Sequence, residues 1–420
     1  MGTTTIGHRL ICLLGLMVML LLAWLLSENR RRMNWRLIAT GVIVQLLFAI
    51  VILKTALGKG IFIAAQHFVN GILDCGKQGS VFVFGEGYQE HFFAFSVLGL
   101  IVFFASLSAV LFHWGVIQVF IKALAWSMVR LMDVSGAESL AAAANIFVGH
   151  TEAPLVIRPY LPSMTRSELT AMLTGGMATI SGSVMAAYIG LGIDAGHLLA
   201  ASIMSAPASL VIAKIMVPEL ESSPTRGAVR VQVPRQGRNV VDAACHGASD
   251  GLKLALNVGA MVLAFVSLVA LINWGLEWGQ YWAVAVIQGQ EVASELRATS
   301  PLTFEGILGW LFCPLAWLMG IPGRDALLVG QILGEKMVLN EFVAYMDLVE
   351  LREQLAPRSF VIATYAVCGF ANFGSIAIQI GGIGALVPSR RDDIAQLSFR
   401  SMLGGTLAAF MTACVVGLLI

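Results

Sequence analysis

Charge is what this chain most lacks. Of its 420 residues, 26 are Lys or Arg and 25 are Asp or Glu, 12% in all, against about 25% in an ordinary soluble domain. The balance is a net charge of +1 at pH 7, which leaves no electrostatic footprint for nucleic acid as a partner. Cysteine gives no staple either. Cys12, Cys75, Cys245, Cys313, Cys368 and Cys414 stand singly, most of them inside apolar runs, so their spacing implies neither a disulfide framework nor a zinc site. The HExxH, nucleophile-elbow and P-loop patterns are missing, which counts against an intramembrane enzyme built on an acid–base pair.

What the chain has is apolar length: 58% of it is hydrophobic. Charge-free runs of seventeen residues or more occupy 10–27, 37–53, 92–112, 169–193, 195–213, 254–276, 306–323, 359–389 and 401–420. A helix needs about 20 residues to span a bilayer, so the fold class is an all-α polytopic membrane protein in contact with lipid. A transmembrane barrel would alternate apolar and polar residues, whereas these runs are apolar on every face. The first run has the length of a signal-peptide core, but no small-x-small cleavage site precedes Glu28, and it is read as a retained helix.

Orientation follows from basic residues. The loop 28–36 carries Arg30, Arg31, Arg32 and Arg36, and the loop 214–253 carries Lys214, Arg226, Arg230, Arg235, Arg238 and Lys253, so both are expected to be cytoplasmic. Eight crossings then put the N- and C-termini outside. Summed by predicted side, Lys and Arg number 17 inside and 9 outside.

The run left over is 306–323, and an internal repeat explains it. Leu124-Ala125-Trp126 followed by Gly136-Ala137-Glu138 is echoed by Leu315-Ala316-Trp317 followed by Gly323-Arg324-Asp325. After each copy comes a carboxylate in an apolar, hairpin-like stretch: Glu152 in Gly149-His150-Thr151-Glu152-Ala153-Pro154, and Glu341 in Leu339-Asn340-Glu341-Phe342. Glu152 is followed 31 residues later by Ser183, and Glu341 by Asn372 at the same distance. Because 115–132 carries Lys122 and Arg130, it is expected to lie along the interface, and 306–323 with it. The chain divides into N-terminal scaffold helices 1–91, a first inverted repeat 92–213 with hairpin 139–165, a cytoplasmic loop 214–253, and a second inverted repeat 254–420 with hairpin 326–350. Eight transmembrane helices, two re-entrant hairpins and an inverted repeat are the pattern of a secondary transporter.

An ionised carboxylate at mid-membrane costs from about 2.5 kcal/mol upward, so Glu152 and Glu341 need a reason. Either each sits at a hairpin tip beside a broken helix and a wet cavity, or each hairpin lies at the interface with its carboxylate in water. Gly175-Gly176, Gly182 and Gly369 supply helix breaking. Asn145, Thr151, Thr179, Ser181 and Ser183 in one half, with Asn340, Asn372 and Ser375 in the other, cluster neutral oxygens near the carboxylates. Such a set suits sodium, although any single Ser or Thr here can instead bond back to its own helix. Glu341, Asn372 and Ser375 together offer acceptors and donors for paired hydroxyls, and Phe370 and Val184 offer apolar faces to a planar ring. His150 adjoins Glu152 as a neutral hydrogen-bonding ring or a proton carrier.

The stretches Gly149-His150-Thr151-Glu152-Ala153-Pro154-Leu155, Asn340-Glu341-Phe342-Val343-Ala344-Tyr345 and Cys368-Gly369-Phe370-Ala371-Asn372-Phe373-Gly374-Ser375 resemble signature segments of the concentrative nucleoside transporters, as does Asp250-Gly251-Leu252-Lys253-Leu254-Ala255-Leu256-Asn257. The resemblance runs from 36 to 420, and the short leading part looks like the bacterial branch, hence an expected bacterial inner membrane. It implies a homotrimer, a fixed scaffold, and a transport domain that carries a nucleoside across by an elevator motion. It further implies that His150, Thr151, Glu152 and Val184 face the nucleobase and that Glu341, Asn372 and Ser375 hold the ribose with Phe370 nearby. The coupling sodium would sit at Asn145, the Val148 carbonyl, Thr179 and the Ile180 carbonyl. His150 stands where glutamine is common in the family, which leaves base preference open and keeps coupling to protons, through Glu152 and His150, as the alternative. A passive channel is a further rival that accumulation against a gradient would exclude.

Overall fold

The computed structural model describes residues 6–87, 95, 98–226 and 237–420, and every regular element in them is a helix. Helices α1 (Ile6–Leu25), α2 (Trp35–Lys54) and α3 (Ala56–Phe84) lead into α4 (Leu98–His113) and α5 (Val116–Met132). Next come α6 (Gly136–Ala144), α7 (Ala153–Val156), α8 (Arg166–Ala178), α9 (Gly182–Gly190) and α10 (Ala195–Met216). The second half runs through α11 (Val240–Gln288), α12 (Gln290–Thr299), α13 (Phe304–Leu318), α14 (Gly323–Val338), α15 (Glu341–Glu350), α16 (Pro357–Val367), α17 (Phe373–Leu386) and α18 (Arg391–Leu419).

Among the described residues, six helical stretches are long and apolar enough to cross a membrane: α1, α2, α8 with α9, α10, α11, and α18 with the turn before it. The expected runs 92–112 and 359–389 do not join them as single helices. Only 95 and 98–112 of the first are described, and the second divides into α16 and α17, of 11 and 14 residues. The two segments expected along the interface both follow sharp bends, of 74° between α4 and α5 and 66° between α12 and α13.

The stretch 214–253 differs from its expected form as a loop. Helix α10 continues to Met216 and α11 starts at Val240, because the Asn239 side chain accepts from the Asp242 amide at 2.8 Å and caps the new helix. Arg230 and Arg235 lie outside the described residues. The hairpins also begin a few residues early, at Gly136 and Gly323. Ser135 and Glu138 form a capping box at the first entrance, and Thr165 with Glu168 does the same at the start of α8.

Burial sorts the helices. Within their apolar windows, α8–α9 and α10 are 89% buried and α18 is 83% buried, against 28%, 33% and 11% for α1, α2 and α11. Exposed Leu256, Leu263, Leu271 and Trp274 on α11 are unthinkable in water over such a length, and natural against lipid. The interior is therefore α8, α9, α10 and α18, and the two helix breaks lie inside it.

Candidate functional site

Each break is built from a side chain that caps the helix after it. Helix α8 ends at Ala178, Thr179 turns extended, and Ser181 accepts from the Val184 amide at 3.4 Å to start α9. Helix α16 ends at Val367, and Asn372 accepts from the Ser375 amide at 2.8 Å to start α17. The breaks cross: the Phe370 amide donates to the Thr179 carbonyl at 3.2 Å. Gly369 adopts φ +138°, and any Cβ there would meet Met177 and Ala178 backbone within 3.0 Å, so only glycine allows the crossing.

Each break has a short helical turn beside it. At the first, the Gly182 amide donates to the Phe147 carbonyl at 3.1 Å, which seats the tip on the break before α9. At the second, Asn340 caps α15 through the Val343 amide at 3.0 Å, so Glu341 is the first residue of its helix and is buried.

Glu341, Asn372 and Ser375 are brought together as expected from their chemistry. The Asn372 amide Nδ2 donates to Glu341 Oε2 at 3.0 Å, and Ser375 is buried beside the same turn. Sequence reasoning missed the second donor, Tyr188, whose hydroxyl reaches Glu341 Oε1 at 2.7 Å from α9. Its only signal was a phenol in an otherwise apolar helix, where the hydroxyl must find a partner. A carboxylate has about four lone-pair sites, so with one donor on each oxygen Glu341 can still accept two vicinal hydroxyls.

Val184 is buried at the start of α9, and the rings of His150 and Phe370 lie 4.9 Å apart. The two halves thus meet through an imidazole and a phenyl ring. Thr151 faces α17, with its Cγ2 3.1 Å from where a Gly382 Cβ would be. Glu152 is exposed and accepts only from the Gly149 amide, at 3.2 Å. His150 is buried with its Nδ1 unpartnered. Gln379 of α17, also missed, donates to the Leu173 carbonyl at 3.1 Å while its buried Oε1 has no partner. Both crowd Gly176, where a Cβ would stand 2.7 Å from His150 Cβ and 3.1 Å from Gln379 Nε2.

Asn145 is 1% exposed, yet neither its Oδ1 nor its Nδ2 has a hydrogen-bond partner. A buried amide left open on both atoms calls for a ligand, and a cation on Oδ1 fits. Val148 and Ile180, whose carbonyls are the other expected oxygen donors, are both buried, one just before His150 and the other in the break before α9. Thr179 is also buried, and its hydroxyl donates to the Gly175 carbonyl at 2.9 Å, the back-bonding alternative, which leaves its oxygen lone pairs free.

Comparisons with known proteins give the family. Family profiles described as the N-terminus and C-terminus of Na+ dependent nucleoside transporters match residues 14–87 and 197–417, and one described as nucleoside recognition matches 94–195. The uncharacterized transporter YutK of Bacillus subtilis is 40% identical over 97% of this chain and 98% of its own. Solute carrier family 28 member 3 of Mus musculus is 39% identical over 100% of this chain, which spans only 60% of that longer relative. The solved structure of CNTnw in an inward-facing, substrate-bound state superposes with a TM-score of 0.88 at 40% identity, covering 98% of this chain and 97% of that one. These relatives are transporters rather than enzymes, and the multi-pass helical architecture agrees. The chain therefore belongs to the concentrative nucleoside transporter family, whose profiles are described as sodium dependent.

Proposed function

We propose that this protein imports nucleosides across a bacterial inner membrane, coupled to sodium entry. The observation that carries the proposal is the pairing of a donor-filled but unsaturated Glu341 with a fully buried Asn145 that has no partner at all. Glu341, Asn372 and Ser375 hold the ribose, with Phe370 against it. His150, Thr151, Glu152 and Val184 face the base. Sodium, as cargo, binds Asn145, Thr179 and the Val148 and Ile180 carbonyls. Its binding fixes the first hairpin tip against the break before α9, which completes the base-facing side and raises affinity for the nucleoside. One positive charge entering down 100 mV supplies about 2.3 kcal/mol, to which the sodium gradient adds.

The architecture behind this proposal is eight crossings: α1, α2, α4, α8–α9, α10, α11, α16–α17 and α18. The matched entrances at Gly136 and Gly323, and the matched bends before α5 and α13, support two inverted repeats, each wrapped round a hairpin. The termini lie outside. Three copies assemble, and in each the hairpins and broken helices move as an elevator against α4, α11 and the interfacial helices.

A second reading keeps the nucleoside and exchanges sodium for a proton on Glu152 with His150 as its partner, favoured by the unpartnered His150 Nδ1. Uridine uptake into proteoliposomes decides between them. The expected result is accumulation driven by an inward sodium gradient and lost when choline replaces sodium. Accumulation under a proton gradient alone moves coupling to Glu152, and no uptake under any gradient removes the nucleoside assignment.

A further inference from the structure

We infer that Lys336 is a built-in cation: its ammonium fills, in the second half of the protein, the place that sodium is proposed to fill in the first. Lys336 lies in the last turn of α14, on the arm that leads to the Asn340–Glu341 tip, and is 1% exposed. Its Nζ donates to the Ala366 carbonyl at 3.0 Å and lies 5.9 Å from the centre of the Phe410 ring of α18. None of the ion pairs among the described residues involves it.

Ala366 belongs to the last turn of α16, just before the break. The last carbonyls of a helix have no partner within it and form the negative end of its dipole, which favours a cation. Another of them, that of Thr364, accepts from the Tyr345 hydroxyl of α15 at 2.8 Å. The second hairpin thus closes the end of α16 from both of its arms, with a neutral phenol from one and an ammonium from the other. An ammonium buried against a helix-end carbonyl and a ring face, outside any ion pair, is held the way a coupling cation is held at a broken helix.

The first half repeats the placement without the charge. Asn145 ends α6, and its Nδ2 is 3.2 Å from where a Cβ on Gly175 would stand, in the last turn of α8 before the other break. Thirty residues separate Asn145 from Gly175, and thirty separate Lys336 from Ala366. From Gly136 to Glu152 the first hairpin contains no Lys or Arg. Each hairpin therefore sends one side chain from its first arm to the last turn of a broken helix, an amide with both polar atoms open in the first half and an ammonium in the second. In the function proposed above, the amide takes its cation from solution. The lysine brings its own, so one sodium per nucleoside completes both halves.

Two variants separate a built-in cation from a packing residue. Lys336→Met removes the charge and fills the space, whereas Lys336→Ala removes the charge and leaves room for a small cation. Thermal unfolding of the detergent-purified full chain is measured in methylammonium chloride and in choline chloride at equal concentration. Lys336→Ala should gain at least about 1 °C from methylammonium beyond any gain in the wild type, and Lys336→Met should gain nothing beyond the wild type. A gain in Lys336→Ala no greater than in Lys336→Met or the wild type overturns the built-in cation. Where Lys336→Ala does not fold in choline, expression and purification with methylammonium throughout should recover it, and failure to recover it overturns the proposal. The second arm rests on the transport reading: the Hill coefficient of uridine uptake for sodium should rise from about 1 in the wild type toward about 2 in Lys336→Ala. An unchanged coefficient, or uptake that neither sodium nor methylammonium restores, overturns the equivalence of lysine and sodium. Absence of uridine uptake in the wild type, with the thermal result intact, overturns the transport reading and leaves the built-in cation standing.

Discussion

At the tip of the second hairpin Glu341 has a donor on each oxygen, Tyr188 at 2.7 Å and Asn372 at 3.0 Å, and is buried. At the tip of the first, Glu152 is exposed with one backbone amide, and Asn145 and His150 are buried with open polar atoms. The second half is a preformed acceptor. The first keeps buried polar atoms open, the place proposed above for an ion. Buried polar groups without partners are costly, so the binding free energy of an ion in the first half is partly the relief of that cost. In the function proposed above, this orders the events: ion first, base-facing side next, nucleoside clamped between the two.

The entrances of the hairpins show the same asymmetry in reverse. Glu138, in the first turn of α6, forms a buried ion pair with Lys214 of α10 at 2.7 Å, and Lys214 also reaches Ser167 at 3.0 Å and Glu219 at 3.2 Å. Asp325, its counterpart in α14, accepts from the Ser359 hydroxyl at 2.6 Å and the Ala356 amide at 3.0 Å, and its ion-pair partner at 3.3 Å, Arg324, is exposed where Lys214 is buried. Removing one partner of a buried pair leaves an uncompensated charge. Lys214→Met should therefore cost about 3–5 kcal/mol, read as a large drop in thermal unfolding temperature in detergent. A loss no greater than that of Asp325→Asn would abolish the distinction between the entrances.

The next effect in size tests the preformed acceptor. Glu341→Gln removes charge-assisted acceptance from a ribose and should weaken uridine binding at least about 100-fold, roughly 3 kcal/mol, by calorimetry. The same substitution at the exposed Glu152 should cost less. Equal losses would mean that the two tips are equivalent after all. Asn145→Ala acts on the first half, and should raise the sodium needed for half-maximal uptake about tenfold while leaving maximal uptake nearly intact. An unchanged sodium dependence would place the ion elsewhere.

Much of this comparison was legible in the residues themselves. The charge-free runs located most of the apolar helices, and the shared Gly-x-acidic segments fall at the starts of α6 and α14, where a carboxylate in the first turn favours a helix. The 31-residue spacing brought Glu341 to Asn372, which the structure bonds directly. It brought no such bond between Glu152 and Ser183, since Ser183 instead pairs with Ser181 at 3.2 Å. Tyr188, Gln379 and Lys214 were not legible as partners. Their contacts join positions 153, 206 and 76 residues apart, and such pairings are fixed by how helices cross, not by any periodicity within one helix. The start of α11 was missed because polar Asn239 and Asp242 read as loop, although they are the cap that begins the helix.

The smallest expected effect lies where the two halves are tied together. Glu28, in the turn after α1, pairs with Arg166 of α8 at 3.0 Å and with Arg400 of α18 at 2.8 Å. The Arg166 guanidinium bonded to it holds this carboxyl below the usual carboxylate value, with Arg400 adding to the effect. A group whose value is depressed by folding contributes stability above its unfolded pKa, and that contribution fades as pH falls through the folded one. The pair is partly exposed and screened, so the contribution is below about 1 kcal/mol. Unfolding temperature in detergent should therefore decline slightly as pH drops below about 4.5, and Glu28→Gln should lower it at neutral pH and remove that part of the acid decline. If Glu28→Gln instead behaved as the wild type at both ends of the range, the bridge between α8 and α18 would contribute nothing, and the halves would be held by their other contacts, such as the crossing breaks and the bond from Gln379 to the Leu173 carbonyl.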